Sequence, residues 1–168
     1  MDDQVFRAWL RHQYEAGMEF SALSDVVDLA PIDGDPPYKY IVQLKCRGLA
    51  ETDRGVEVID RHLIGVRFPN DYLRVSCEPG RLLTWLEPAN EFHPNIRPPF
   101  CCIGHIAPGM SLVSLMQQLS SMVTWQRFTP REDDALNGAA CVWARQNIDA
   151  LPVDRRRTMI RTEPNDQL

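Results

Sequence analysis

Apolar residues near the start of the chain repeat at the spacing of one helix face. This i, i+3, i+4 pattern predicts an N-terminal helix with one side packed on a core. The pattern weakens around Gly17, so the segment 19–29 either extends this helix or forms a second short one. The breaker-rich stretch 31–37 predicts a loop. The apolar face consists of Val5, Phe6, Trp9, Leu10, Gln13 and Tyr14.

The period of apolar residues then changes from helical spacing to strict alternation. Alternation over 38–46 predicts a first strand, and alternation over about 56–68 predicts a second. The segment 81–86 predicts a third strand after a Glu-Pro-Gly turn. Because the connections are short, the three strands are expected to form an antiparallel meander.

The segment 87–109 contains five prolines, which rule out long regular structure there. A structureless loop of more than about 12–15 residues inside a compact domain is usually functional. Helical spacing resumes after Ser111, a suitable N-cap, and again over 136–147. The chain is therefore predicted to have an α+β fold with helices packed on one antiparallel sheet. Residues 1–150 form a single domain in this interpretation, and 151–168 form a polar tail that is mobile or partly docked.

Composition narrows the functional class. The 168-residue chain has a net charge of −5 and a pI near 5.3. This argues against a nucleic-acid-binding protein, which would have a basic surface, and is compatible with basic partners. No stretch reaches the roughly 18–20 consecutive apolar residues that a membrane helix needs. The acidic N-terminus is unlike a secretory signal, so the prediction is a cytoplasmic protein without membrane contact.

The five cysteines do not suggest a disulfide framework, since their number is odd and their spacing irregular. In a reducing compartment they are expected to be free thiols. One alternative is a zinc site built from His93, Cys101, Cys102 and His105. Adjacent cysteines rarely both face one metal, and the chain has no C-x-x-C motif. The favoured interpretation therefore has no metal and no cofactor.

Several motifs occur in an order that resembles the ubiquitin-conjugating enzyme family. Residues 68–72, Phe-Pro-Asn-Asp-Tyr, resemble the family's FPxxYP segment, and 92–96, Phe-His-Pro-Asn-Ile, match its HPN signature. Residues 102–104, Cys-Ile-Gly, resemble the catalytic element in a form associated with bacterial relatives. Residues 130–140 are similar to the acidic crossover that leads into the next helix. The resemblance covers about 38–147 and is strong in combination, although HPN alone is a weak signal.

The chain also departs from the family pattern. The usual spacing places the cysteine where this chain has Ile103, so Cys102 falls one residue short and Cys101 two. The glycine that usually precedes the cysteine is absent, and Pro98 and Pro99 occupy that region. These departures indicate a divergent bacterial branch. The resemblance implies the ubiquitin-conjugating fold: an N-terminal helix, an antiparallel meander, a long active-site loop and C-terminal helices.

The resemblance implies that Cys102 carries a modifier as a thioester, because a thiolate both attacks and leaves a thioester readily. Cys101 then occupies the apolar site before it. Asn95 either stabilises the oxyanion that forms when an amine attacks, or holds the loop through hydrogen bonds. His93 and Pro94 are assigned supporting roles in the same loop.

Two acidic residues complete the predicted site. Asp134 matches the family's acidic residue that orients or deprotonates the incoming lysine, and Asp133 is the second choice. The alternative is that both are ordinary carboxylates at the start of a helix.

The predicted function is that of a ubiquitin-conjugating-type transferase. It receives a ubiquitin-like modifier from an activating-type enzyme on Cys102 and passes it to an amine, a lysine of an acceptor protein, with or without a ligase. Some bacterial systems of this kind are thought to serve antiviral defence. The alternative is a catalytically inactive module of the same fold that only binds a modifier or a partner protein.

Overall fold

Residues 3–156 fold into four α-helices and eight strands. The structure is a computed structural model that describes residues 3–156. Single 3-10 turns lie at Glu132–Asp134 and Ile148–Ala150. In chain order the elements are α1 (Gln4–Ala22), β1 (Val27–Gly34), β2 (Pro37–Leu44), β3 (Gly48–Thr52), β4 (Gly55–Ile59), β5 (His62–Arg67), α2 (Pro79–Leu82), β6 (Leu83–Glu87), β7 (Ile96–Arg97), β8 (Phe100–Cys101), α3 (Leu112–Val123) and α4 (Gly138–Gln146).

The predicted N-terminal helix is confirmed. Asp3 caps α1, because its Oδ1 accepts a hydrogen bond of 3.0 Å from the N–H of Phe6. The segment from residue 19 extends the helix to Ala22. Gly17 lies where the helix meets the rest of the core: a Cβ there would come within 2.9 Å of side-chain atoms of Leu29 and Leu112. The glycine that weakens the sequence pattern thus permits a close helix approach.

The main sheet has four antiparallel strands in the order β1-β2-β5-β6. The predicted meander had three strands and did not include β1. The prediction of a loop over 31–37 was wrong. β1 continues through Pro31 to Gly34, and β2 already begins at Pro37. Within residues 3–156, β1 is an edge strand that pairs with β2 alone, and Pro31 is tolerated there because no second strand needs its missing N–H.

Two other strand boundaries also differ from the prediction. The segment 56–68 is divided at Asp60 and Arg61 into β4 and β5. β4 pairs with β3 as a separate hairpin, whereas β5 pairs with β2 in the main sheet. The third predicted strand, from Arg81, begins as the short helix α2, so β6 starts only at Leu83. The alternation of apolar and polar residues continues across these boundaries, although the strand with which the segment pairs changes. The sequence pattern does not reveal that change of partner.

α1 contacts β1 and β2 of the main sheet and packs on α3, and buried side chains of the sheet and both helices form the principal core. The predicted cap of α3 is confirmed, since Ser111 Oγ accepts from the N–H of Ser114 at 3.1 Å. The buried side chain of Gln13 satisfies a second free donor, because its Oε1 accepts from the N–H of Leu112 at 2.9 Å. A smaller core joins β3, α4 and the loop before β7 through Leu49, Phe92, Trp125, Ala140 and Ala144.

The chain after α4 returns to the hairpin side of the domain. The buried carboxylate of Asp154 accepts from the main-chain N–H of Arg47 at 3.3 Å and pairs with Arg156. The first residues of the predicted tail therefore contact the domain, whereas 157–168 lie outside the described residues. No helix within residues 3–156 has the length and apolar character needed to cross a membrane.

Candidate functional site

The proline-rich segment predicted to be irregular contains a small hairpin. β7 and β8 are antiparallel, with Ile96 opposite Cys101 and Arg97 opposite Phe100. At the tip of the hairpin, the carbonyl oxygen of Pro99 accepts from the N–H of Trp85 in β6 at 2.8 Å. The hairpin is therefore held against the edge of the main sheet. It fixes the position of Cys101 and Cys102 beside that sheet edge.

The two adjacent cysteines lie in different environments. Cys101 is 3% exposed, and burial raises the pKa of its thiol to about 12. Cys102 is partly exposed, and its N–H donates to the carbonyl oxygen of Asn95 at 2.9 Å. Ile103, at the position expected from the family spacing, is 8% exposed. The other three cysteines are buried, so Cys102 is the accessible thiol among the five.

His93 and Pro94 are buried and connect the hairpin to the smaller core. The Nδ1 atom of His93 accepts from the N–H of Asn95 at 3.0 Å. Burial lowers the pKa of His93 to about 3, so the ring is neutral near pH 7 and its proton lies on Nε2. The ring stacks at an angle on Trp125, with 4.4 Å between centroids. The carbonyl oxygen of Pro94 accepts from the N–H of Asn137, the N-cap residue of α4.

The side chain of Asn95 is held at both of its polar atoms. Its Nδ2 donates to Thr129 Oγ1 at 2.7 Å, and its Oδ1 accepts from the N–H of Thr129 at 2.8 Å. One N–H of the amide remains to meet a ligand. These hydrogen bonds are compatible with one of the two roles expected for Asn95, that of holding the loop.

Asn95→Ala is expected to lower the free energy of unfolding by about 1–2 kcal/mol, because both bonds to Thr129 are lost. Asn90→Ala is a matched control, since the exposed Asn90 side chain makes one hydrogen bond, to the carbonyl oxygen of Glu51. Urea unfolding of both variants and of the wild type measures the two losses in the free energy of unfolding. Equal losses would show that the two bonds to Thr129 stabilise the protein no more than the single exposed hydrogen bond of Asn90 does.

A cleft of about 430 Å³ opens beside Cys102. Two residues after the end of α3, Trp125 has a φ of 60°, and the segment 126–129 that follows it lines the cleft. This conformation is uncommon for a bulky residue. The cleft is lined by Asn95, Cys102, Ile103, Gly104, Gln118, Met122, Gln126, Arg127, Phe128 and Thr129.

Asp133 and Asp134 lie in the 3-10 turn before α4, and both are exposed. Asp134 Oδ2 is 3.7 Å from the Nε atom of Arg131. Neither carboxylate is among the described residues that line the cleft. The structure therefore brings Asn95 and Cys102 together at the cleft and leaves the two acidic residues outside its lining.

The zinc alternative has no geometric support in the part of the chain that the structure describes. No group of three or more His, Cys, Asp and Glu side chains there is arranged to hold a metal ion. Thr129 and Arg127, in contrast, are cleft residues that the sequence analysis missed. Neither belongs to a motif, and only the tertiary structure brings them to the cysteine. A scan against protein-family models and a search of curated proteins each found no match for the chain.

Proposed function

We propose that this chain is a ubiquitin-conjugating-type transferase that carries a ubiquitin-like modifier as a thioester on Cys102. The observation that carries the proposal is the position of Cys102, the accessible thiol of the five, at the wall of a cleft that also contains Asn95. The resemblance of the motifs from 68–72 to 130–140 supports the same chemistry. It also carries the expectation of a cytoplasmic bacterial conjugation system with a role in antiviral defence.

The reaction has two acyl transfers. In the first, the Cys102 thiolate attacks the thioester carbonyl on the activating-type enzyme, a new S–C bond forms, and the enzyme's thiolate leaves and takes up a proton. In the second, a lysine amine of the acceptor protein attacks the carbonyl, an amide forms, and Cys102 is released as a thiol. Neither transfer requires a metal or cofactor on this chain, and ATP is used upstream.

The fold is compatible with this proposal at a coarse level. The chain has an N-terminal helix and a four-strand antiparallel sheet, with the cysteine hairpin after the last strand of the sheet. The resemblance assigns this arrangement to the ubiquitin-conjugating fold.

A specific observation favours a second candidate, a module of the same fold that binds a modifier or partner without transferring anything. Both polar atoms of the Asn95 amide are engaged by Thr129, and Asp134 pairs with Arg131 outside the cleft lining. In this alternative the groups that would assist attack by an amine are used for structure.

The discriminating experiment is intact mass measurement of the purified chain. The chain is mixed with ATP, a candidate activating-type enzyme and its ubiquitin-like modifier, and the products are divided into samples with and without reductant. The expected result is an added mass of one modifier that disappears with reductant. An active activating enzyme that charges itself but leaves this chain unmodified would contradict the transferase and favour the binding module.

A further inference from the structure

The sequence around the cleft has an unusual charge distribution. The chain contains 23 acidic residues, yet none lies between Glu91 and Glu132. This acid-free segment, residues 92–131, supplies the cysteine hairpin, the whole of α3 and every residue that lines the cleft. Among the described residues, the cleft wall of this protein, whose net charge is −5, therefore has no carboxylate.

Arg127 is the formally charged residue of that wall. Its main-chain N–H donates to the carbonyl oxygen of Ser121 at 3.0 Å, which fixes the backbone, and its side chain is exposed. Among residues 3–156 its guanidinium has no carboxylate partner, whereas nearby Arg131 pairs with Asp134. Arg97, on β7, adds a second exposed positive charge from the same acid-free segment.

The other polar side chains of the cleft already have partners. The amide of Asn95 is bonded to Thr129, as described above. Gln126 Nε2 donates to Thr124 Oγ1 at 3.0 Å and to the carbonyl oxygen of Asp154 at 2.8 Å. Gln118 Nε2 lies 3.4 Å from the sulfur of Met110. The guanidinium of Arg127 is thus the strongest uncommitted donor available to a molecule in the cleft.

We propose that Arg127 is a specificity-determining residue that selects an acyl group whose preceding peptide segment carries an acidic side chain. The inference rests on the proposed carrier function. Because Cys102 and Arg127 both line the cleft, a carbonyl bonded to Cys102 Sγ brings the residues just before it next to the wall that holds Arg127. A guanidinium there favours a carboxylate and disfavours a lysine or arginine, with no acidic side chain of the wall to offset the repulsion.

The test uses synthetic acyl donors, because they need no activating enzyme. The donors are short peptide ethyl thioesters that end in glycine. They differ only in the residue at one position before that glycine, which is Glu, Gln or Lys. The Cys102 thiolate attacks the glycine carbonyl, the S–C bond to Cys102 forms, and ethanethiolate leaves and is protonated. Intact mass against time gives the acylation rate for each peptide, and Cys102→Ala identifies the acylated residue.

Wild-type protein is expected to react about two- to fivefold faster with the Glu peptide than with the Lys peptide, which is the effect of one exposed ion pair. Raising the salt concentration should reduce this preference. Arg127→Glu should reverse it. Arg54→Glu is the matched control, since Arg54 lies at the exposed β3–β4 turn and its replacement changes the net charge equally; it should leave the preference unchanged.

The outcomes separate this inference from the carrier function. Acylation of Cys102 at the same rate by all three peptides, or an equal effect of Arg127→Glu and Arg54→Glu, would overturn the role of Arg127 and leave the carrier function standing. Peptides that acylate none of the cysteines, or acylate Cys102→Ala as fast as wild type, would count against the carrier function itself.

Discussion

Cys102→Ala is expected to abolish the reductant-sensitive adduct completely, because alanine has no nucleophile to form a thioester. Cys101→Ala should retain loading, since the Cys101 thiol is buried and burial raises its pKa to about 12, which keeps it protonated near pH 7. Cys102→Ser should form a more stable oxyester if the activating enzyme accepts it. Intact mass of the three variants mixed with the activating-type enzyme, the modifier and ATP, with and without reductant, measures all of these results.

Cys101→Ala also serves as the control for folding, because it removes a thiol from the adjacent position of the same hairpin. Circular dichroism of both alanine variants should match wild type. Loading that survives in Cys102→Ala and disappears in Cys101→Ala would move the acyl site to the buried neighbour and would require the hairpin to open. Loading that survives in both would exclude the hairpin as the acyl site.

Glu91→Ala is expected to lower the free energy of unfolding by about 3 kcal/mol, because it breaks a fully buried pair. Glu91 Oε2 lies 2.9 Å from His62 Nδ1, and His62 Nε2 donates to the carbonyl oxygen of Cys46 at 3.1 Å. Burial raises the pKa of Glu91, and the bond to His62 opposes that shift. A Cβ on Gly48 would lie 2.5 Å from the His62 ring, so the β3–β4 hairpin packs directly on this pair.

Two comparison variants make this prediction specific. Glu91→Gln keeps a hydrogen-bonding group beside His62 Nδ1 and should lose less stability than Glu91→Ala. Glu57→Ala removes an exposed carboxylate from β4 and should change stability by about 0.5 kcal/mol or less. Urea unfolding measures the free energy of unfolding of the three variants. If Glu91→Ala unfolds no more easily than Glu57→Ala, the buried pair does not hold the hairpin to the sheet.

Several elements were predictable from the sequence because their signals are local. Helices α1 and α3 were predictable from their apolar spacing, and the start of α3 from its cap residue Ser111. Both signals depend on side chains that a single helix turn brings together. The α+β class follows from the change of period after residue 37. The choice of Cys102 over Cys101 came from the order of residues in a motif and stays a prediction; in the structure Cys101 is buried and Cys102 is partly exposed.

What only the tertiary structure decided depends on pairing between distant segments. β1 became a strand despite Pro31 because it lies at a sheet edge, and the segment 56–68 divided because its two halves have different partners. The cleft joins the hairpin at Cys102 to the segment 126–129 through the turn at Trp125 and the Asn95–Thr129 bonds. Sequence spacing encodes neighbours along one element, whereas the walls of a cleft come from elements whose contact depends on how the whole core packs.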